Sequence, residues 1–246
     1  MKARFEADGD VIVVTGGGNG IGRALARAAA QAGAHVVICD VDEKAAADAA
    51  AGHPQISIKR LDVGDRDAVS ATFAAIEREH GRIDGLVCGA AIQPRTLVHD
   101  MPAEEWQRVL GINLNGVVWC YQAAIKGMIA RRRGSIVAFT SGLAHQGWPE
   151  ASAYAASKGA LIAFVKSAAK EVAQHRVKFN LIAPGVIDTP QYRAANAGAD
   201  HDRWRASTGV GAPEDAVGPL LFLLSDAASM TASLISRDFA YAAQEI

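Results

Sequence analysis

The sequence predicts an α/β fold in which one parallel sheet is wound on both faces by helices. Three observations carry that expectation. Short runs rich in Val and Ile alternate with alanine- and leucine-rich stretches of helical length, the order that builds parallel crossovers. The first of these runs leads directly into a glycine-rich turn and then a helix. Asp40, Asp62, Gly89, Ser141 and Gly185 each close an apolar run. Right-handed crossovers would gather them along one sheet edge, where such folds bind ligands. No linker, repeat or low-complexity stretch divides the 246 residues, so one domain over 1–246 is expected.

In chain order, the β-branched run 11–14 is the first strand. It is followed by Thr15-Gly16-Gly17-Gly18-Asn19-Gly20-Ile21-Gly22 and by an alanine-rich helix over 23–31 that Gly33 stops. Glycines let backbone turn sharply and approach a ligand closely. The free amides at the helix start then suit an anion such as a pyrophosphate. The second strand, 35–39, ends in Asp40, 18 residues past Gly22. A carboxylate there accepts hydrogen bonds from a ribose 2′,3′-diol and repels a 2′-phosphate. Asn19 is neutral and Val41 supplies no cation, so the pattern favours NAD over NADP. The alternation continues with a helix over 43–51, a strand over 56–61 and a helix over 66–80 that Gly81 stops. A strand over 85–88 and a helical stretch over 106–129 follow. Next come a strand over 136–140, a helix reaching 174 and a strand over 177–183. The looser stretch 188–213 reads as a lid. A last helix starts at Pro213-Glu214-Asp215, with its apolar body at 220–224, and a final strand lies at 233–236.

Tyr154 and Lys158 stand four apart in the predicted helix, hence on one face. A fixed ammonium favours phenolate and would pull the phenol down from its ordinary value near ~10 toward useful acid–base chemistry. Ser141, at the tip of the preceding strand, is placed to hold a substrate oxygen.

The bulk numbers exclude several classes. A formal net charge of -1 gives no general pull toward nucleic acid or an anionic membrane. The one basic run, Arg131-Arg132-Arg133, falls at a helix end, where it complements the dipole. Cys39, Cys88 and Cys120 lie in apolar stretches with no Cys-x-x-Cys pairing, the usage of buried thiols in a reducing compartment. No apolar run approaches a membrane span, and no His-Glu-x-x-His spacing suggests a metal. A cytosolic protein without a metal is expected.

As a set, these residues resemble the short-chain dehydrogenase/reductase family in its compact single-domain, Rossmann-like form. The glycine turn at 15–22, Asp62-Val63, the segment 106–116 carrying Asn113, the Ser141/Tyr154/Lys158 set and Pro184-Gly185-Val186-Ile187-Asp188-Thr189 match in order. The resemblance implies that Tyr154 is the acid–base. Lys158 would lower its pKa and bond the nicotinamide ribose, Ser141 would hold the substrate oxygen, and Asn113 would interrupt its helix to fix a relay water. It also implies that Gly16, Asn19, Gly20, Ile21, Gly22, Asp40, Asp62, Val63, Gly89, Ala90, Gly185, Ile187 and Thr189 join Tyr154 and Lys158 in holding NAD. The implied partners are a small alcohol or ketone and further copies of the chain, as a tetramer or dimer.

Three departures stand out. Cys88-Gly89-Ala90-Ala91 replaces the usual Asn-Asn-Ala-Gly, which should loosen that strand end and crowd the ribose by a methyl. Ala232 replaces a glycine, and Asp238-Phe239-Ala240 replaces Asp-Gly-Gly. Two rival functions follow: a nucleotide-binding sensor or scaffold without turnover, and an NADPH-dependent carbonyl reductase. Gln93, His145 and Trp148 are read equally as substrate contacts or as ordinary surface and packing groups. Arg193, Arg203 and Arg205 are read as solvated lid charges.

Overall fold

The computed structural model describes residues 4–198 and 209–237. The predicted lid residues Arg203, Trp204 and Arg205 and the atypical tail 238–246 lie outside them. Among the described residues, seven parallel strands form one sheet: β1 (Val11–Thr15), β2 (His35–Asp40), β3 (Ile56–Arg60), β4 (Gly85–Cys88), β5 (Gly134–Phe139), β6 (Val177–Ala183) and β7 (Leu234–Ser236). Their spatial order is β3-β2-β1-β4-β5-β6-β7. The helices are α1 (Gly20–Gln31), α2 (Glu43–Ala50), α3 (Arg66–His80), α4 (Ala103–Leu110), α5 (Gly116–Arg131), α6 (Leu143–Gln146), α7 (Ser152–Val172), α8 (Pro190–Ala195) and α9 (Val217–Leu224).

The middle of the sheet is buried on both faces because strands such as β1 and β4 are almost wholly apolar and fully buried, and the period of two divides their side chains between two cores. Val11 and Val13 point into the core formed with Phe73 of α3, Tyr121 of α5 and Leu161 of α7. Ile12 and Val14 point into the other, with Leu25 of α1, Ala46 of α2 and Leu220 of α9. Full burial of each such Val, Leu or Phe side chain is worth ~1.5–3 kcal/mol. In the first core, Tyr121 stacks on Phe179 at 5.2 Å while Phe164 meets Tyr121 edge-on at 5.8 Å. Helix ends follow their sequence signals. Asp65 caps α3 by accepting from the Asp67 and Ala68 amides, and Gly81 ends it in the left-handed region at φ 75°.

The strand order reverses between β1 and β4, leaving a crevice beyond their C-terminal ends. That is where a doubly wound sheet binds its ligand.

Three differences from the sequence expectation have physical causes. The helix expected over 106–129 is α4 and α5 joined by a π-helical turn, Gly111–Asn115. The wider turn carries Asn113 into the interior, where it is fully buried. A short helix, α6, stands between Ser141 and the Tyr154 helix, where the sequence pattern marks no element of its own. Ala232 occupies the left-handed region at φ 58°, a conformation costing a non-glycine residue roughly 1 kcal/mol. It is held there by its amide on the Phe179 carbonyl at 2.9 Å and by Asn180, which bonds Met230 and Ser233 on either side.

The arginine run stands at the end of α5, as expected, and two of its side chains make tertiary contacts there. Arg131 donates to the Ile83 carbonyl (2.7 Å) and Arg133 to Asp10 (3.0 Å), so both staple α5 and its C-terminal turn to the sheet's N-terminal edge. All three cysteines are free and buried; burial pushes the Cys39 thiol up to about 12. Among the described residues, no helix is long and apolar enough to cross a membrane.

The base of the stretch 188–213 is closed by a short parallel bridge. Gly211 donates to Val186 and Asp188 donates to Gly211, both at 2.8 Å. Beyond it α8 starts on Thr189, whose hydroxyl accepts from the Tyr192 amide at 3.1 Å.

Candidate active site

A cavity of about 870 Å³ opens over the C-terminal ends of the strands, within the usual range for small-molecule sites. Its inner end is the crevice between β1 and β4. Gly16 stands there at φ 68°, where a Cβ would come within 2.7 Å of the Ala90 amide, so only glycine lets the two strand ends approach. The next residues form the start of α1. Its N-cap, Asn19, makes no side-chain cap, and the first turn carries no acid. The amides of Gly20, Ile21 and Gly22, which line the cavity, therefore remain open to an anionic ligand. Asp40 stands beside them, its carboxylate fixed by the Gly18 amide at 2.9 Å and the Asp42 amide at 3.0 Å. An uncapped helix start, a glycine floor and a positioned carboxylate fit a dinucleotide. They would receive its pyrophosphate and its ribose diol.

The cavity brings together most of the residues singled out in the sequence. Gly16, Asn19, Gly20, Ile21, Gly22, Asp40, Gly89, Ser141, Tyr154, Lys158, Gly185, Ile187 and Thr189 all line it. Four do not. Asp62 is exposed and accepts from its own turn at Gly64 (2.9 Å), and Val63 is buried beneath Gly116 of α5. Ala90 turns toward Thr15, its amide 3.4 Å from the Thr15 hydroxyl. Asn113 lies behind the wall. Its side-chain oxygen accepts from the Ile92 amide (2.8 Å), and its amide nitrogen donates to the Ile92 carbonyl (2.9 Å) and to Ser157 (3.2 Å). It thus clamps the segment leaving β4 to α7, one residue from Lys158.

Tyr154 and Lys158 share one face of α7, as their spacing requires. Lys158 is almost fully buried and donates to the Phe139 carbonyl at 2.9 Å. Its ammonium stands 5.6 Å from the centre of the Tyr154 ring. Burial pulls the Lys158 amine down to about 8.

The phenol departs from expectation. Burial raises the Tyr154 pKa, and the groups that oppose this are the hydrogen-bonded Ser141 hydroxyl and the Arg95 guanidinium. With Lys158 bonded to the Phe139 carbonyl and set over the ring face, the downward pull expected of it does not prevail over desolvation. Ser141 also accepts from the Leu143 amide at 3.2 Å, which fixes it at the head of α6.

The altered strand end is held rather than loosened. Pairing of β1 with β4 continues to Thr15 and Cys88. Gly89 donates to the Thr15 carbonyl at 3.0 Å, and the Thr15 hydroxyl makes long contacts to Val87 and Ala90. The methyl-bearing Ala91 lines the cavity, as do Gln93 and Trp148, whereas His145 does not. Arg193 is taken up by a bidentate pair with Asp188 at 2.6 and 2.8 Å, consistent with a lid charge. Sequence reasoning missed Arg95, Gln146 and Asn196, which form much of the outer wall. They sit in irregular segments or at helix ends, where no periodicity marks a buried face.

A family model for short chain dehydrogenase matches residues 10–200. The chain is 36% identical over 241 residues to a cis-4-hydroxycyclohexanecarboxylate dehydrogenase of Sinomonas cyclohexanicum, covering 95% of this chain and 96% of that one. It is 35% identical to the 3-oxoacyl-[acyl-carrier-protein] reductase of Thermotoga maritima, covering 94% and 97%. Among solved structures, a short-chain type dehydrogenase/reductase from Mycobacterium marinum superposes with a TM-score of 0.87 at 31% identity, covering 95% and 96%.

Proposed function

This chain belongs to the short-chain dehydrogenase family, and we propose that it is an NAD-dependent oxidoreductase interconverting a secondary alcohol and a ketone. The observation that carries the proposal is one cavity with an open helix start and Asp40 at one end and the convergent Ser141, Tyr154 and Lys158 in its wall. Bound nicotinamide would supply the hydride acceptor or donor.

The remaining work falls to the chain's own groups. The Ser141 hydroxyl holds the substrate oxygen. The Tyr154 Oη takes its proton during alcohol oxidation and returns it during ketone reduction. In the nucleotide-free protein the raised Tyr154 pKa keeps the phenol protonated at neutral pH, the state needed for reduction. Oxidation needs the phenolate, and Lys158, with its amine near 8, is the adjacent group able to stabilise that anion or accept its proton. Asn113 acts as a positioning residue, holding the segment leaving β4 against α7 and, in the family pattern, a relay water.

The names of the two relatives describe the same change at carbon, one from the alcohol and one from a 3-oxo group. Asp40 favours NAD, and an NADPH-dependent carbonyl reductase would have to place a 2′-phosphate against that carboxylate. We further assign small-molecule substrates, a cytosolic location, a homotetramer or dimer, one domain over 1–246 and a lid role for 188–213.

The test is a fluorescence titration with NADH and NADPH, followed by secondary alcohols and ketones with each cofactor. Tighter NADH binding and turnover of at least part of the panel are expected. Binding without turnover of any member would favour the sensor, and tighter NADPH binding would overturn the role of Asp40.

A further inference from the structure

We infer that Arg95 makes the substrate site selective for an anionic molecule, a secondary alcohol or ketone that also bears a carboxylate. The inference rests on the proposed function and names the substrate class of that same cavity.

The cavity wall is electrostatically divided. Among the described residues, its one acidic lining residue is Asp40, at the nucleotide end, while its two cations, Arg95 and Lys158, stand with Tyr154. Lys158 is occupied by the Phe139 carbonyl. Arg95 is only partly satisfied. Its Nε donates to the Ala195 carbonyl at 3.0 Å and one Nη2 hydrogen goes to the Asn196 side chain at 2.9 Å. Its Nη1 is sealed from water and has no hydrogen-bond partner among the described residues.

Among the described residues, Arg95 has no carboxylate within ion-pair distance. Glu150, whose charge it does feel, lies exposed on the surface. Burial works against the Arg95 charge, yet a guanidinium does not discharge at accessible pH. The wall therefore carries a permanent cation with an unmet donor. That arrangement costs free energy until an anion meets it.

A carboxylate entering beside Tyr154 is the group that would complete it, after a small turn of the guanidinium fork. The two donors already placed hold the C-terminal end of α8, so the side chain that reads the anion also sets that end of the 188–213 stretch. Arg193, already paired with Asp188, is not available in this way.

A purely structural pin at α8 is the rival, and paired substrates separate the two. Hydroxycarboxylates of several chain and ring sizes are compared with their methyl esters in the wild type, Arg95→Met and Arg95→Lys. The wild type should prefer acids over esters in kcat/KM by roughly 10- to 100-fold, mostly through KM, as expected for a charge-assisted hydrogen bond. Arg95→Met should erase that preference, read as the acid-to-ester ratio of kcat/KM, which cancels any effect of the lost guanidinium on the Tyr154 phenol, and Arg95→Lys should restore part of it. NADH affinity and melting temperature report whether the variants fold.

A pin alone would lower acid and ester turnover together, and equal use of both by the wild type would likewise overturn the inference. Calorimetry with the non-reacting pair cyclohexanecarboxylate and cyclohexanecarboxamide, in the presence of NADH, gives a readout independent of turnover. Wild-type binding of the carboxylate alone, lost in Arg95→Met, supports the assignment. No preference for the carboxylate contradicts it. Should no alcohol or ester be turned over while the carboxylate still binds through Arg95, the proposed chemistry fails and the anion site stands.

Discussion

The two ends of the cavity are built differently. The nucleotide end consists of strand tips and the start of α1, tied by backbone: parallel pairing of β1 with β4, Gly16 pressed against Ala90, and Asp40 bonded to two amides. The substrate end consists of side chains from segments far apart in sequence. Arg95 reaches across 100 positions to α8, which also supplies Tyr192, and Trp148 comes from a further segment between α6 and α7. Backbone-built sites depend on glycines and register, and they tolerate little change. Side-chain-built sites depend on a few long-range contacts, so the substrate can change while the cofactor stays the same.

If that contrast holds, Gly16→Val should have the largest effect. It puts a β-branched residue at φ 68° and its Cβ into the Ala90 backbone. A stability loss on the order of 3 kcal/mol and at least 100-fold weaker NADH binding are expected, read by chemical denaturation and fluorescence titration. A variant that binds normally would show that the crevice is softer than described.

Lys158 stands beside Tyr154, and its buried charge gives a pH signature. Its folded value, about 8, lies below the ordinary 10.5, so between those two pH values the unfolded chain binds more protons and stability from this group rises with pH. Below about 8 both states are charged and the burial cost is borne in full. Relative to Lys158→Met, the nucleotide-free wild type should gain on the order of 3 kcal/mol between pH 7.5 and 10.5, at ~1.36 kcal/mol per pH unit of lowering. Parallel stability curves for the two proteins would contradict the assignment.

Asp40→Ala sharpens the account of the nucleotide end. It removes the acceptor for the Gly18 and Asp42 amides and should weaken NADH binding roughly 10- to 100-fold while leaving NADPH binding unchanged or tighter. The smallest effect is expected from Arg193→Ala at the other end. Arg193 is an exposed partner in a surface pair, so the melting temperature should fall by no more than about 4 °C and kcat/KM should stay within about twofold of the wild type, in contrast to Arg95→Met.

The same division decides what the sequence reveals. The apolar strands and the glycine turn are local patterns whose period and spacing encode the geometry, so the sheet, its doubly wound form and the residues of the β1–β4 crevice were legible. Asn113 was legible as a helix interruption through the family pattern. Its clamp on Ile92 was not, because a π-helical turn shifts the helical phase without changing composition. Arg95 was invisible because it stands in an irregular segment and takes its meaning from α8. The pKa direction of Tyr154 failed for a related reason. Spacing places Lys158 on the right face but cannot say that the Phe139 carbonyl engages its ammonium, or how far burial opposes the phenolate.

The central claim is that the Tyr154 Oη moves the proton. Its most direct test is Tyr154→Phe, which keeps the ring and deletes only that oxygen. NADH affinity within about threefold of the wild type is expected, with turnover of the best alcohol falling by roughly 10²–10⁴. Turnover that survives the substitution largely unchanged would contradict the account.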